Sequence, residues 1–317
     1  MSERDDADVI EQAPRQVSFP LVPGLLALRG APGARRRRIV VIAAACALLV
    51  TAATLVTARL AESPRTDPAL ARLITEVTTV PVGTSVPGIP ALTDPASPDA
   101  VYWSMLTISS GTHQAVSGPP LRRDGKPEVL YAGTEYCPYC AMESWPLIVA
   151  LSRFGTFSGL ATARSPRFEQ IVPVDGWTFY GSRYTSRYLS FVPVERYSNV
   201  LVNAKANPDA RTSYRVLQRF TPAQRAIVRK YDKSGATPFL DFANRAVQIG
   251  SDLPLSPRLL AGKSWARLAA ALRQPKTRLG AAMLGEADLL TAQLCALTGD
   301  RPAAACPAFL QHVEFAS

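Results

Sequence analysis

Glu128-Val129-Leu130-Tyr131-Ala132-Gly133-Thr134-Glu135-Tyr136-Cys137-Pro138-Tyr139-Cys140 is the stretch on which the reading of the fold turns. Lys126-Pro127 leads into a short apolar run that ends at Gly133, the pattern of a buried strand. A helix is expected to follow. Cys137 falls at its N-cap and Pro138 at its first position, where the missing N–H removes no hydrogen bond. Apolar residues recur at helical spacing through Met142, Trp145 and Val149 to Phe154, and Gly155 stops the pattern. Pro146, inside this stretch, is expected to kink the helix. The two cysteines thus form a C-x-x-C pair at a strand-to-helix junction.

That position carries chemistry. The unpaired N–H groups and partial positive charge of a helix N-terminus stabilise a thiolate at Cys137, which raises the nucleophilic fraction near neutral pH. Cys140, one turn further in, is placed to attack a mixed disulfide formed at Cys137. Glu135 and Glu143 are candidates for moving a proton during that step; equally, each reads as an ordinary loop or first-turn acid. Tyr136 and Tyr139 would frame the thiol, whereas Trp145 would pack the core. A zinc site needs four ligands, and the remaining candidates are Cys295, Cys306, His113 and His312. No metal and no cofactor is therefore expected. The bland alternative is a permanently oxidised staple at Cys137 and Cys140.

Further along, strands are expected at 157–161 and 188–194, followed by two helices. The second helix opens on a capping box, Thr221-Pro222-Ala223-Gln224. Gly235-Ala236-Thr237-Pro238 precedes strand Phe239–Phe242, which turns through Ala243-Asn244-Arg245 into Ala246–Ile249. Ser256-Pro257 begins a helix with Leu259, Leu260, Trp265, Leu268, Ala269 and Leu272 on one stripe. A final helix spans 279–297. The fold class expected from this order is α/β, a thioredoxin-like domain with a helical insertion. Cys295 and Cys306 flank a helix end and turn, and a structural disulfide is expected there; a second redox pair is the alternative. Tyr180, Tyr184 and Tyr188 form a tyrosine-rich patch, read either as a peptide-binding surface or as plain strand surface.

Upstream, residues 39–58 are uncharged, IVVIAAACALLVTAATLVTA, preceded directly by Arg35 to Arg38. About twenty apolar residues suffice to span a bilayer, and the arginine flank would stay cytoplasmic. A transmembrane signal anchor is expected, with membrane lipid as its partner and the C-terminal domain outside the cytoplasm. The 1–38 segment reads as a mostly disordered cytoplasmic tail and the proline-rich 59–100 segment as a linker, in which the pattern at 70–79 reads as a short helix or strand. The domain proper is expected at 101–275, and a C-terminal helix with a disulfide-pinned tail at 276–317. Of the net charge of +10, residues 1–38 with seven Arg and five Asp/Glu carry +2, and the remaining +8 is dispersed along the rest of the chain, which argues against nucleic acid as a partner.

The blocks Gly133-Thr134-Glu135-Tyr136-Cys137-Pro138-Tyr139-Cys140-Ala141, Leu151-Ser152-Arg153-Phe154-Gly155, Tyr188-Leu189-Ser190-Phe191-Val192-Pro193-Val194-Glu195 and Thr237-Pro238-Phe239-Leu240-Asp241 resemble a domain-of-unknown-function family. Its members are prokaryotic, membrane-anchored proteins with thioredoxin-like features. The resemblance runs from about residue 101 to 306. Pro138-Tyr139 is also similar to the dipeptide of glutaredoxins, although no other glutathione-binding feature accompanies it. By analogy with exported thioredoxin-like proteins, the resemblance implies Cys137 as nucleophile and Cys140 as resolving thiol. It also implies a cis Pro238 that sets the Thr237 backbone beside Cys137 to receive an extended substrate. The function expected is thiol–disulfide exchange with exported proteins, served by an unidentified redox partner. The alternative is a non-enzymatic envelope-binding module whose disulfide is structural.

Overall fold

The computed structural model describes residues 67–82, 113–167, 171–202, 214–250 and 255–310. Its elements run in chain order as α1 (Pro68–Thr78), β1 (His113–Ala115), β2 (Arg122–Arg123), β3 (Lys126–Gly133), α2 (Pro138–Ser152), β4 (Gly155–Ser158), β5 (Ala161–Arg164), β6 (Asp175–Thr178) and β7 (Arg183–Ser186). There follow β8 (Ser190–Glu195), β9 (Tyr197–Leu201), β10 (Tyr214–Val216), α3 (Pro222–Tyr231), β11 (Phe239–Phe242), β12 (Ala246–Ile249), α4 (Pro257–Leu260), α5 (Trp265–Ala271) and α6 (Arg278–Thr298). Among the described residues no helix is long and apolar enough to cross a membrane. The apolar segment 39–58 and its arginine flank lie outside the described residues.

The apolar run that opens the sequence reading becomes the centre of a six-stranded mixed sheet. On β3, Val129 and Tyr131 enter one hydrophobic core, while Leu130 and Ala132 enter another on the opposite face. A strand covered on both faces is apolar at every position rather than at alternate ones, which explains why the run shows no alternation. β8 pairs parallel with β3, from Glu128 against Ser190 to Gly133 against Glu195. β11 pairs antiparallel with β3, and β12 and β1 continue the sheet in antiparallel order. Ala243 and Asn244 take positive φ values of 55° and 57° in the β11–β12 turn. The Asp241 carboxylate accepts the Asn244 N–H at 2.5 Å, which holds that turn closed.

The larger core lies between the sheet and α2, α5 and α6. It takes in Val77 and Val80, from the end of α1 and just beyond it. The smaller core receives Val228 and Ile227 from α3. α2 runs through Pro146 without interruption and is buried along nearly its whole length. Its C-terminal end is anchored by Arg153, whose guanidinium donates to Asp288 Oδ1 at 2.7 Å and to Thr291 Oγ1 at 2.5 Å on α6. Both members of this ion pair are buried.

Three expectations need correction. The strand expected at 157–161 is two strands, β4 and β5, broken at Gly159, where φ is +71°. Neither joins the main sheet, since β4 pairs with β7 and β5 with β6. The elements inserted around the expected α/β plan are therefore largely strands. Alternating burial along β4 and β7 is the period-two pattern of half-exposed hairpin surfaces. Where the first of two helices was expected, β9 and β10 form a two-stranded sheet, with 203–213 outside the described residues. Finally, the helix expected from Ser256 through Leu272 is split into α4 and α5, because Gly262 lies between them at φ +72°.

Candidate functional site

Cys137 is the N-cap of α2, and its Sγ accepts the Cys140 N–H at 3.4 Å. Pro138 occupies the first helical turn. The peptide between Thr237 and Pro238 is cis, and Cys137 Sγ donates to the Thr237 carbonyl at 3.4 Å. Residues a hundred positions apart thus meet at one sulfur. Both thiols are free and buried, Cys137 at 7% exposure and Cys140 at 3%.

The two sulfurs are electrostatically unlike. The hydrogen bond from the Cys140 side chain is the largest influence on Cys137 and, with the Thr237 side chain and the first-turn backbone N–H groups, outweighs burial; the thiol is drawn down from its ordinary value of 9.0 to about 7. Burial pushes the Cys140 thiol well up, and the neighbouring Cys137 and Glu195 charges push it further. One group is therefore ready to ionise near neutral pH, while the other holds its proton until something removes it.

The surroundings explain how the helix start is fixed. Glu135 N–H donates to Tyr197 O and Arg196 N–H to Gly133 O, both at 2.9 Å, stitching the thiol loop to the chain after β8. Tyr136 stacks on Tyr214 at 4.4 Å between ring centroids, and Tyr197 packs against the same group with Cys137 and Cys140. Behind the first turn, β6 presses directly on the helix backbone. A Cβ on Gly176 would stand 2.6 Å from Ala141 Cα, so only glycine fits. Ser144 Oγ accepts Trp177 N–H at 2.9 Å, and Trp145 Nε1–H donates to Asp175 O at 2.9 Å. These side chains supply backbone partners to β6 that a second strand would otherwise provide. Gly133 is also tightly placed, because a Cβ there would meet the buried Tyr131 ring and hydroxyl, a side chain rather than backbone.

The residues expected at the site divide into those that gather and those that do not. Cys137, Cys140, Thr237 and Pro238 come together, and Tyr139 is 40% exposed beside them. Glu135 Oε2 accepts Asn199 N–H at 3.3 Å in a half-buried loop. Glu143 is fully buried on α2. Trp145 is a core residue, edge-on to Trp177. In the tyrosine patch, Tyr184 donates to Leu151 O at 2.8 Å while Tyr180 is exposed. Cys295 and Cys306 form a disulfide. With Asp300 they lie at metal-cluster spacing, but sulfurs bonded to each other are not thiolate ligands.

Glu195 was not singled out from the sequence. It ends β8, opposite Gly133, and is 2% exposed. Its Oε1 accepts Phe179 N–H at 3.3 Å, and its Oε2 is buried with no hydrogen-bond partner among the described residues. Burial raises its carboxyl from 4.5 to about 8, helped by the charges of Glu135 and Cys137. It lies close enough to raise both Cys140 and Tyr131. The signal was a glutamate terminating an apolar strand, and it becomes legible only once that strand is known to lie parallel to the one that feeds Cys137.

The chain belongs to the family described as Domain of unknown function (DUF929), which matches it over residues 113–296, more than half of its 317 residues. The matched region contains β3, α2, Glu195 and the Thr237-Pro238 loop. No curated protein and no solved structure matches the chain.

Proposed function

We propose that the domain is thioredoxin-like and that the chain is a membrane-anchored thiol–disulfide oxidoreductase, its catalytic domain outside the cytoplasm. The observation that carries the reading is the asymmetric pair: a Cys137 thiol drawn to about 7 at a helix N-cap, next to a Cys140 thiol held up by burial. The central parallel pair β3–β8, the β11–β12 hairpin and the cis Thr237-Pro238 loop support the fold assignment. The uncharged 39–58 segment with Arg35 to Arg38 before it supports the anchor and its orientation.

In the reducing direction the Cys137 thiolate attacks one sulfur of a substrate disulfide. A Cys137–substrate bond forms, the substrate S–S bond breaks, and the other substrate sulfur leaves as a thiolate. Glu195 in its ionised form, a minor fraction at pH 7 that grows towards pH 8, takes the Cys140 proton. The Cys140 thiolate then attacks Cys137 Sγ, forming Cys137–Cys140 and releasing the second substrate thiolate. Two electrons pass from the dithiol to the substrate; the reverse sequence oxidises a substrate dithiol. The Thr237 carbonyl and its neighbouring backbone would align the incoming chain. Glu195 is the proton acceptor in this account rather than Glu135 or Glu143, because its carboxyl near 8 suits proton exchange at neutral pH.

The test is a Cys140→Ser variant expressed in cells. Mixed disulfides through Cys137 should accumulate with exported proteins and disappear when Cys137→Ala is added. An absence of trapped species while the fold is retained would refute the exchange reading.

A further inference from the structure

Between the start of β9, the chain around β10 and α3, the described residues line an open cavity of about 450 Å³ that the exchange chemistry does not use. Its wall carries Arg196, Arg219, Arg225, Arg229 and Lys233, five cationic side chains against one carboxylate, Asp232. One oxygen of that carboxylate is committed to the turn, Asp232 Oδ1 accepting Ser234 N–H and Gly235 N–H at 3.0 Å and Ser234 Oγ–H at 2.6 Å; Oδ2 is buried with no hydrogen-bond partner among the described residues, leaving five cations against one negative charge. Among the described residues, none of the five cations is ion-paired, and four of them are exposed. Arg196 is held in place by stacking, 5.1 Å over the Tyr197 ring and 4.9 Å over Phe220.

Two of its lining residues connect the cavity to the exchange site. Gly235 lines it and lies two residues before Thr237, so their Cα atoms are within about 8 Å of each other. Tyr197 also lines it and packs against the Tyr136, Cys137 and Cys140 cluster. A substrate strand lying along Thr237 rises roughly 3.4 Å per residue. A side chain about two to four residues from the reacting cysteine would therefore reach the cavity.

We propose that this cavity is a specificity subsite for acidic segments, binding Asp or Glu carboxylates that flank the reactive cysteine of a substrate protein. The proposal rests on the exchange reading for its orientation relative to Cys137. Unpaired cations gathered around one hollow create a positive potential that draws and orients an anionic segment. Arg196, already stacked and half-buried, gives up little side-chain freedom on binding, and its fork suits a carboxylate.

The test uses the full chain in detergent with two labelled peptides, one carrying Glu near its cysteine and one carrying Gln at the same positions. Versions with serine in place of cysteine read binding apart from exchange. The Glu peptide should bind roughly tenfold tighter than the Gln peptide, and moderate salt should erase the difference. In Arg196→Gln/Arg225→Gln/Arg229→Gln the ratio should fall towards one. In Arg225→Glu/Arg229→Glu the preference should pass to a Lys-flanked peptide. Equal binding of the Glu and Gln peptides to the wild type, or a preference that survives the triple substitution, would overturn the proposal. Competition by glutathione as effective as by the Glu peptide would also overturn it, in favour of a small carboxylate-bearing thiol. If neither cysteine peptide exchanges while the serine peptides keep their preference, the exchange reading fails and the acidic-segment site stands.

Discussion

Replacing Glu195 with Gln should make the protein more stable and less active. The carboxyl is buried, and burial lifts it from 4.5 to about 8. Below pH 4.5 it is protonated in both folded and unfolded states. Between 4.5 and 8 the unfolded chain has lost that proton and the folded chain has kept it, so folding stability falls as pH rises, by about 1.4 kcal/mol per unit. Cys137 acts in the opposite sense and in a different window. Its folded value of about 7 lies below the ordinary 9.0, so its contribution is fully present above 9.0 and is lost as pH falls through 7. Cys137 is common to both proteins and its contribution cancels in the comparison, so from about pH 5 to pH 7 the wild type should lose about 2.5 kcal/mol relative to Glu195→Gln. The Gln carbonyl can still accept the Phe179 N–H, so the comparison isolates the charge. Urea unfolding of the reduced full chain at several pH values measures the difference directly. In the same variant, release of substrate from a Cys137 mixed disulfide should slow by roughly a hundredfold through loss of the base. Parallel stability curves for wild type and variant would refute the buried-carboxylate argument, and an unchanged release rate would remove Glu195 from the mechanism.

Alkylation of the reduced chain should modify Cys137 with a rate that rises through a midpoint of about 7, while Cys140 stays unreacted near neutral pH; peptide mass mapping after pulses at stepped pH checks both. Gly176→Ala should push β6 away from the first turn of α2, destabilise the fold by about 1–3 kcal/mol as an overpacking change, and slow Cys137 alkylation at a fixed pH. A denaturation curve paired with the alkylation rate tests that coupling.

What the sequence made legible was local. Cys137 and Pro138 at a helix start, the capping box at Thr221 and the turn at Ala243 and Asn244 each depend on a few adjacent residues. The geometry agrees with all three. The meeting of Cys137 with Thr237 was legible through family resemblance, since nothing local to either residue points to the other. Glu195 stayed hidden because its importance comes from the register of β8 against β3, and parallel register leaves no short-range mark. The antiparallel sheets β4–β7 and β5–β6 were hidden because their pairing too is non-local. Their strands are short, and their partners lie across intervening turns. The constraint at Gly176 is likewise tertiary, because its neighbour is the backbone of Ala141.

The central claim is that Cys137 and Cys140 exchange reversibly while Cys295 and Cys306 do not. Equilibrating the full chain in glutathione buffers of stepped potential and counting alkylated thiols at each cysteine tests it in one measurement. The account predicts a single two-electron transition for Cys137–Cys140 between roughly −120 and −270 mV, with the buried Cys295–Cys306 bond still oxidised there. A Cys137–Cys140 pair locked as a disulfide across that whole range would contradict it and identify the pair as a structural staple.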